Sequence, residues 1–166
     1  MRAACAATAC ALAAALSGCT TTGTQQGYNM PPVVTVQPAQ QQQQQERAAF
    51  KAVLTGREAV PASDSQGKGE LVAVLDLSTG ALRWKINFSG LSGPVRSANF
   101  HSPAMSGEVA PPVLPAGGRS ITSPYEGRAL LTPAQRDDLL AGQWYLNLNT
   151  ARYPDGELRG QLIEQH

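Results

Sequence analysis

The stretch LRWKINF, residues 82–88, alternates apolar and polar side chains without interruption. Successive side chains of a β-strand point to opposite faces, so Leu82, Trp84, Ile86 and Phe88 would share one face. Strict alternation over this length is typical of a half-buried strand. We therefore predict a strand here that presents its apolar face to the core.

Similar patterns flank this stretch on both sides. The alternation predicts further strands over residues 49–54, 70–77, 95–101, 144–149 and 157–163. Gly80 and the sequence PDG at residues 154–156 supply turns, because Pro fixes φ and Gly accepts positive φ. Residues 111–123 are rich in Pro and Gly, and we predict a loop there.

One short helix is predicted near residue 133. The sequence TPAQ, residues 132–135, has a capping Thr, a Pro at the first helical position and a Gln three residues after the cap. Gly142 suits the end of the helix, and we expect Leu139 and Leu140 to dock it on a sheet. Many short strands with frequent turns and one short helix predict an all-β fold, an antiparallel sandwich or barrel.

The N-terminus has the organisation of an export signal. Arg2 precedes an uncharged run, Ala3 to Leu16, that is mostly Ala and Leu. The run is shorter than the roughly 20 apolar residues that a bilayer span needs, and it is typical of a signal peptide. It leads into LSGC, residues 16–19, which resembles the bacterial lipobox. A secretory signal that happens to contain a cysteine is the alternative.

The lipobox resemblance implies that residues 1–18 are removed and that Cys19 is acylated. One acyl chain anchors a protein only marginally, at about 0.8 kcal/mol per buried CH₂, but two or three chains make release negligible. The lipid bilayer would then be a partner of the chain. Thr20 stands where inner-membrane retention usually has Asp, which favours the outer membrane of a Gram-negative bacterium.

Residues 19–47 have the composition of a linker. They are rich in Thr, Pro and Gln, with an unbroken glutamine run at residues 40–45, and they offer little to bury. A flexible linker of this length has an end-to-end distance of about 30 Å. We predict a disordered spacer, with a helical glutamine tract as the alternative, followed by one β domain over residues 48–166.

Charge and cysteine usage exclude several classes of protein. The chain has 13 basic and 12 acidic residues, and removal of residues 1–18 takes away only Arg2, without leaving any block of like charge. Nucleic-acid binding, which normally needs a basic stripe, is therefore disfavoured, as is electrostatic membrane binding. All three cysteines lie within the first 19 residues, so the predicted domain has neither a disulfide nor a cysteine metal site.

Four segments together resemble the CHRD domain, a family named from chordin and common in exported bacterial proteins. The segments are LTGREAVP at residues 54–61, GLSGP at 90–94 with NFH at 99–101, LT at 131–132 with GQWYLNLNT at 142–150, and PDGELRGQL at 154–162. The resemblance covers about residues 49–163. It implies an immunoglobulin-like β-barrel without a settled activity.

The chain departs from this family at its histidines. Members often have two histidines around one residue, and these rings could share a metal ion because they point to one face of a strand. Here Asn99 replaces the first, His101 remains, and Asn149 stands where the family has a later histidine. Asn is a weak ligand for zinc or copper, so we expect no metal and no cofactor.

Several polar residues are candidates for a binding face. They are Asn99, His101, Asn147, Asn149, Glu157 and Arg159. We expect a partly buried His101 ring that bonds to Asn147, to Asn149 or to the backbone. Glu157 and Arg159 lie two apart on a predicted strand, so we expect them to pair and to brace the turn at residues 155–156. Trp84 and Trp144 are interpreted as core residues, with a ligand platform as the alternative.

No complete catalytic set is legible in the sequence. Ser102 and Ser106 lie near His101, but no G-x-S-x-G nucleophile elbow exists. We therefore predict a non-enzymatic, lipid-anchored binding or structural module of the cell envelope, with an envelope protein or glycan as its partner. The alternative is a metal-binding redox protein of the periplasm that uses the strand around His101.

Overall fold

The computed structural model describes residues 46–166. The predictions for the signal peptide, for Cys19 and for most of the spacer lie outside the described residues. The strands are β1 Arg47–Thr55, β2 Lys68–Asp76, β3 Ala81–Ser89, β4 Val95–His101, β5 Pro112–Gly117, β6 Tyr125–Leu130, β7 Tyr145–Thr150, β8 Leu158–Gln161 and β9 Ile163–Gln165. Helix α1 spans Pro133–Leu140, and a single 3₁₀ turn spans Gly56–Glu58. Within residues 46–166, no helix has the length and apolar character needed to cross a bilayer.

All strand pairs are antiparallel, and they form a nearly closed barrel. The order is β5-β4-β7-β8-β1-β2-β3-β6, and β9 joins β1 beside β8. The two terminal strands, β5 and β6, meet at a seam. Beside this seam, the Trp84 indole of β3 donates a hydrogen bond to the Ala116 carbonyl of β5, at 3.0 Å. The prediction of an all-β antiparallel fold with one short helix is therefore confirmed.

The inward-facing residues of the barrel form one core. Alternate residues of β1, β2 and β3 are buried, as the period of two predicted. Trp84 packs edge-on against Phe100, with ring centroids 5.2 Å apart, and Phe100 contacts Trp144 at 5.5 Å. Both tryptophans are buried, so their interpretation as core residues is confirmed.

Helix α1 begins with the predicted capping box. The Thr132 hydroxyl accepts from the Gln135 amide, and the Gln135 side chain accepts from the Thr132 amide. Leu139 is fully buried, but the prediction for Leu140 was wrong, since 41% of it is exposed. Adjacent helical residues point about 100° apart, so a helix of eight residues docks only one of the two leucines.

The predicted loop at residues 111–123 was wrong, because its first part is strand β5. β5 ends the strand order and pairs only with β4, and the pairing is interrupted by two register shifts. An edge strand tolerates Pro112 and Pro115, because a missing N–H on its free side breaks no ladder. Strand β6 carries the inward-facing Gly127, which leaves room for the Trp84 ring and weakens the apolar pattern.

Candidate functional site

The candidate residues occupy two separate places. Asn99 on β4, Asn147 on β7 and Arg159 on β8 are neighbours in register on the outer face of the barrel. His101 and Asn149 lie on the same face, on β4 and β7. Glu157 precedes β8 and points to one end of the barrel. The structure therefore brings five of the predicted residues together and separates the sixth.

Tyr145 lies at the centre of these five residues on the outer face, although the sequence analysis did not single it out. The His101 ring stacks on the Tyr145 ring, with centroids 4.8 Å apart and planes 10° apart. The Arg159 guanidinium lies 3.6 Å from the centroid of the Tyr145 ring, within cation–π range. We call these residues the Tyr145 stack. Its position follows from the sheet, because β7 lies between β4 and β8.

The loop of residues 102–111 covers the Tyr145 stack. The Tyr145 hydroxyl accepts from the Ala110 amide at 3.1 Å and donates to the Ala110 carbonyl at 3.2 Å. The same carbonyl bonds His101 Nδ1 at 2.8 Å, and Arg159 donates to the Met105 carbonyl at 3.4 Å. A carbonyl oxygen only accepts, so His101 Nδ1 carries the proton. The stack thus holds the loop against the barrel.

The environment of His101 favours its neutral form. Burial lowers the pKa of the ring and so does the nearby Arg159 charge, while the bond to the Ala110 carbonyl opposes them. Of the partners predicted for this ring, the backbone is the one that the structure shows. Burial also lowers the pKa of Arg159, which is 3% exposed and stays charged because an arginine pKa starts far above neutrality.

Asn147 and Asn149 support the turn that follows β7. Asn147 donates from Nδ2 to the Asp155 carbonyl at 2.8 Å, and Asn149 donates to the Pro154 carbonyl at 2.5 Å. A side chain at Gly156 would overlap Asn147, and Gly156 has φ +147°. The Nδ2 groups of both side chains therefore hold backbone carbonyls, while the buried Asn147 Oδ1 has no hydrogen-bond partner among the described residues.

The predicted pair of Glu157 and Arg159 was wrong. β8 begins only at Leu158, so Glu157 does not follow the alternation of the strand. Its carboxylate accepts from the Ser65 hydroxyl at 2.7 Å, from the Ser92 amide and hydroxyl at 2.7 and 2.6 Å, and from the Thr150 hydroxyl at 2.5 Å. Burial alone would raise the pKa of Glu157, but these hydrogen bonds outweigh it and lower the pKa. Glu157 thus ties two loops to the end of β7.

The groups near His101 form neither a metal cluster nor a nucleophile pair in the part of the chain that the structure describes. Residues 46–166 contain no cluster of three or more His, Cys, Asp or Glu side chains that could hold a metal ion. Ser102 is buried, and its hydroxyl donates to Asp138 at 2.9 Å rather than to His101. Ser106 donates to Glu58 at 3.3 Å.

A shallow groove lies on the outer face of β1 and β9, on the side of β8 and its Arg159. Its lining residues are Lys51, Val53, Thr55, Glu58, Gln161, Ile163 and Gln165. Sequence reasoning missed these residues and the serines around Glu157, because they come from segments far apart in the chain. Tyr145 could have been predicted from the sequence, since it shares one face of the predicted strand with Asn147 and Asn149.

Comparison with protein families covers most of the described domain. The model of the CHRD domain family matches residues 50–162. Neither a curated protein nor a solved structure matches the chain.

Proposed function

Because the chain belongs to the CHRD domain family, we propose that it is a lipid-anchored cell-envelope protein whose β domain is a non-enzymatic binding or structural module. The observation that carries this proposal is the internal use of the candidate polar groups. His101 Nδ1 bonds the Ala110 carbonyl, Asn147 Nδ2 donates to the Asp155 carbonyl, and the Glu157 carboxylate accepts from the Thr150 hydroxyl, so each of these groups fixes a loop or turn.

This use of polar groups supports a scaffold rather than a catalyst. A general base must reach the proton that it abstracts, and a nucleophile needs such a base beside it. The bond of His101 Nδ1 to a backbone carbonyl leaves only Nε2 as a base, and the Ser102 hydroxyl, the nearest one in sequence, donates to Asp138 instead of to the ring. The arrangement therefore fixes loop positions on a barrel, which is what a binding module needs.

The anchor in this proposal is an acylated Cys19 in the outer membrane of a Gram-negative bacterium. The lipobox-like sequence LSGC at residues 16–19 and the polar spacer after it support this assignment. The spacer would let the domain work at a distance from the lipid surface, with a reach of about 30 Å.

The partner in this proposal is an envelope protein or a glycan, and the groove on β1 and β9 is the contact site. Thr55 and Gln165 line it with a hydroxyl and an amide group, which hydrogen-bond sugars and peptide backbones. Val53 and Ile163 add exposed apolar surface. This mixture suits a neutral polar partner better than a nucleic acid.

The anchor is tested by replacing Cys19. The wild-type chain should fractionate with the outer membrane and carry fatty acids on its N-terminal residue, as mass spectrometry of the mature N-terminal peptide can show. A Cys19→Ala variant should leave the lipid fraction. Unchanged sedimentation of this variant, or a wild-type chain without fatty acid, would contradict the proposed anchor.

The binding role is tested by crosslinking in intact envelopes. A photo-reactive residue at Ile163, in the groove, should yield a reproducible adduct with one protein or glycan. The same residue at Arg119, which is exposed on a loop outside the groove, is the matched control. Equal adduct patterns from both positions would show that the groove is not the contact site.

A further inference from the structure

Two arginines face each other on the outside of the barrel. Arg83 on β3 and Arg128 on β6 are directly opposite in the antiparallel register, and both are exposed. The next pair on this face, Lys85 and Glu126, forms a salt bridge of 3.1 Å. Strands β3 and β6 thus give Lys85 an acidic partner, whereas Arg83 and Arg128 face each other with like charge.

Within residues 46–166 the arginine pair has no salt-bridge partner, and Glu126, which lines the same surface hollow, is engaged by Lys85. Neither arginine has an acidic group within salt-bridge distance among residues 46–166. The rest of the chain cannot supply one, because Glu46 is its first acidic residue. Like charges directly opposite each other destabilise a strand pair, and an external anion between them would relieve this repulsion. Among anions, phosphate suits a guanidinium group in particular, because it accepts two parallel hydrogen bonds from it.

Exposed apolar side chains border the arginine pair. Leu130 is 74% exposed and lies opposite Ala81, one step along the outer face from the arginines. Val74 is 38% exposed and pairs in register with Arg83. On a lipid surface, such a face can place its arginines at the phosphate groups and its aliphatic side chains at the acyl boundary.

The start of the domain lies beside this same surface. β1 begins at Arg47, which is opposite Asp76 at the end of β2 that leads into β3. The segment between Cys19 and the domain therefore joins the barrel at the end where Ala81 and Leu130 lie. A flexible tether with an end-to-end distance of about 30 Å raises the effective concentration of the domain at the bilayer, so contacts too weak to recruit a free protein suffice to orient a tethered one.

We propose that the arginine face, consisting of Arg83, Arg128, Val74 and Leu130, docks the domain onto anionic phosphate headgroups of the bilayer that holds the Cys19 anchor. This inference rests on the proposed lipid anchor and adds an orientation to it. The overall charge balance of the chain disfavours an electrostatic membrane binder. The fold, however, brings together two positive charges, those of Arg83 and Arg128, that are 45 positions apart in sequence.

The test uses the mature acylated chain in vesicles. This chain has no thiol other than Cys19, because Cys5 and Cys10 belong to the removed segment. A fluorophore is attached to a single new cysteine, either Ala81→Cys on the arginine face or Met105→Cys on the loop over β7. A spin-labelled headgroup quencher then reports which label is near the membrane.

The expected result is stronger quenching at position 81 than at position 105 in vesicles that contain phosphatidylglycerol. The contrast should disappear in pure phosphatidylcholine and at about 0.5 M salt, where the Debye length is only a few ångströms. The double substitution Arg83→Gln with Arg128→Gln should lower the ratio of docked to undocked domains about 30-fold. Arg96→Gln with Arg119→Gln, an equal loss of charge at exposed positions elsewhere, should leave the contrast intact.

Two results would overturn the docking. Equal quenching at both positions in anionic vesicles would show that the domain has no preferred face. A contrast that follows protein density instead of anionic lipid would show that a second copy of the chain occupies the face. In both cases the chain still floats with the vesicles, whereas failure of the acylated chain to float would contradict the anchor itself.

Discussion

Glu157 is the residue whose side chain makes the most hydrogen bonds across the barrel end. It accepts four hydrogen bonds from three residues, Ser65 in the β1–β2 loop, Ser92 in the β3–β4 loop and Thr150 on β7. Hydrogen bonds to a charged group contribute more than neutral ones, and their loss leaves the buried Thr150 hydroxyl without this acceptor. One carboxylate therefore fixes the relative positions of three segments.

We expect Glu157→Ala to lower the free energy of unfolding by about 2–4 kcal/mol, because the Ser92 amide and three hydroxyls lose their acceptor. Urea denaturation followed by tryptophan fluorescence measures the change. Glu126→Ala is the control, since it removes only an exposed salt bridge with Lys85 and should cost less than about 1 kcal/mol. Equal losses in the two variants would contradict the role given to Glu157.

The lowered pKa of Glu157 predicts a pH dependence of stability. A carboxyl group whose pKa is lower in the folded than in the unfolded state stabilises the fold above the unfolded value. This contribution should therefore be present above about pH 4.5 and should be lost as the pH falls toward the lower folded pKa. Because glutamine does not titrate, the Glu157→Gln variant should show a flatter loss of stability between pH 5 and 3. Parallel curves for wild type and variant would show that Glu157 does not titrate with folding.

At the level of elements, the join between β1 and β8 depends on a glycine. A Cβ atom at Gly160 would overlap the Val53 carbonyl oxygen and press on the Leu54 side chain. A backbone oxygen in a paired strand cannot move aside as a flexible side chain can. The approach of β8 to β1 therefore requires the absence of a side chain at this position.

We expect Gly160→Ala to destabilise the domain by about 1–3 kcal/mol through overpacking. Gly118→Ala is a matched control, because nothing lies within 4 Å of a Cβ atom there. Thermal unfolding of both variants measures the difference. If Gly160→Ala unfolds at the wild-type temperature, the two strands are not as closely packed as the structure shows.

At the scale of the whole molecule, the core of residues 46–166 consists of one large cluster inside the barrel and a small second cluster of Ala104, Ala110 and Tyr145. We predict that a chain of residues 46–166 unfolds with the same free energy as a chain of residues 20–166, within about 0.5 kcal/mol, because the spacer sequence offers little apolar surface. Urea denaturation of the two chains, without lipid, measures this. A clear loss of stability in the shorter chain would show that the spacer packs on the barrel.

Much of the architecture could be predicted from local patterns. The alternation in β1 to β3, the capping box of α1 and the PDG turn each depend on neighbours within a few residues, so the sequence displays them directly. Strands β5 and β6 were not predicted. The conformation of β5 depends on a barrel edge that tolerates Pro, and that of β6 depends on Trp84, which fills the space above Gly127.

The sequence by itself determined the strand pattern, the short helix, the family and a set of polar residues on one face. Only the tertiary structure decided that Glu157 bonds to Ser65, 92 positions away, that Arg159 lies on Tyr145, and that Arg83 meets Arg128. The physical reason is that a side chain's period is local, whereas its partner depends on strand order and register. Those are set by how the whole barrel buries its core.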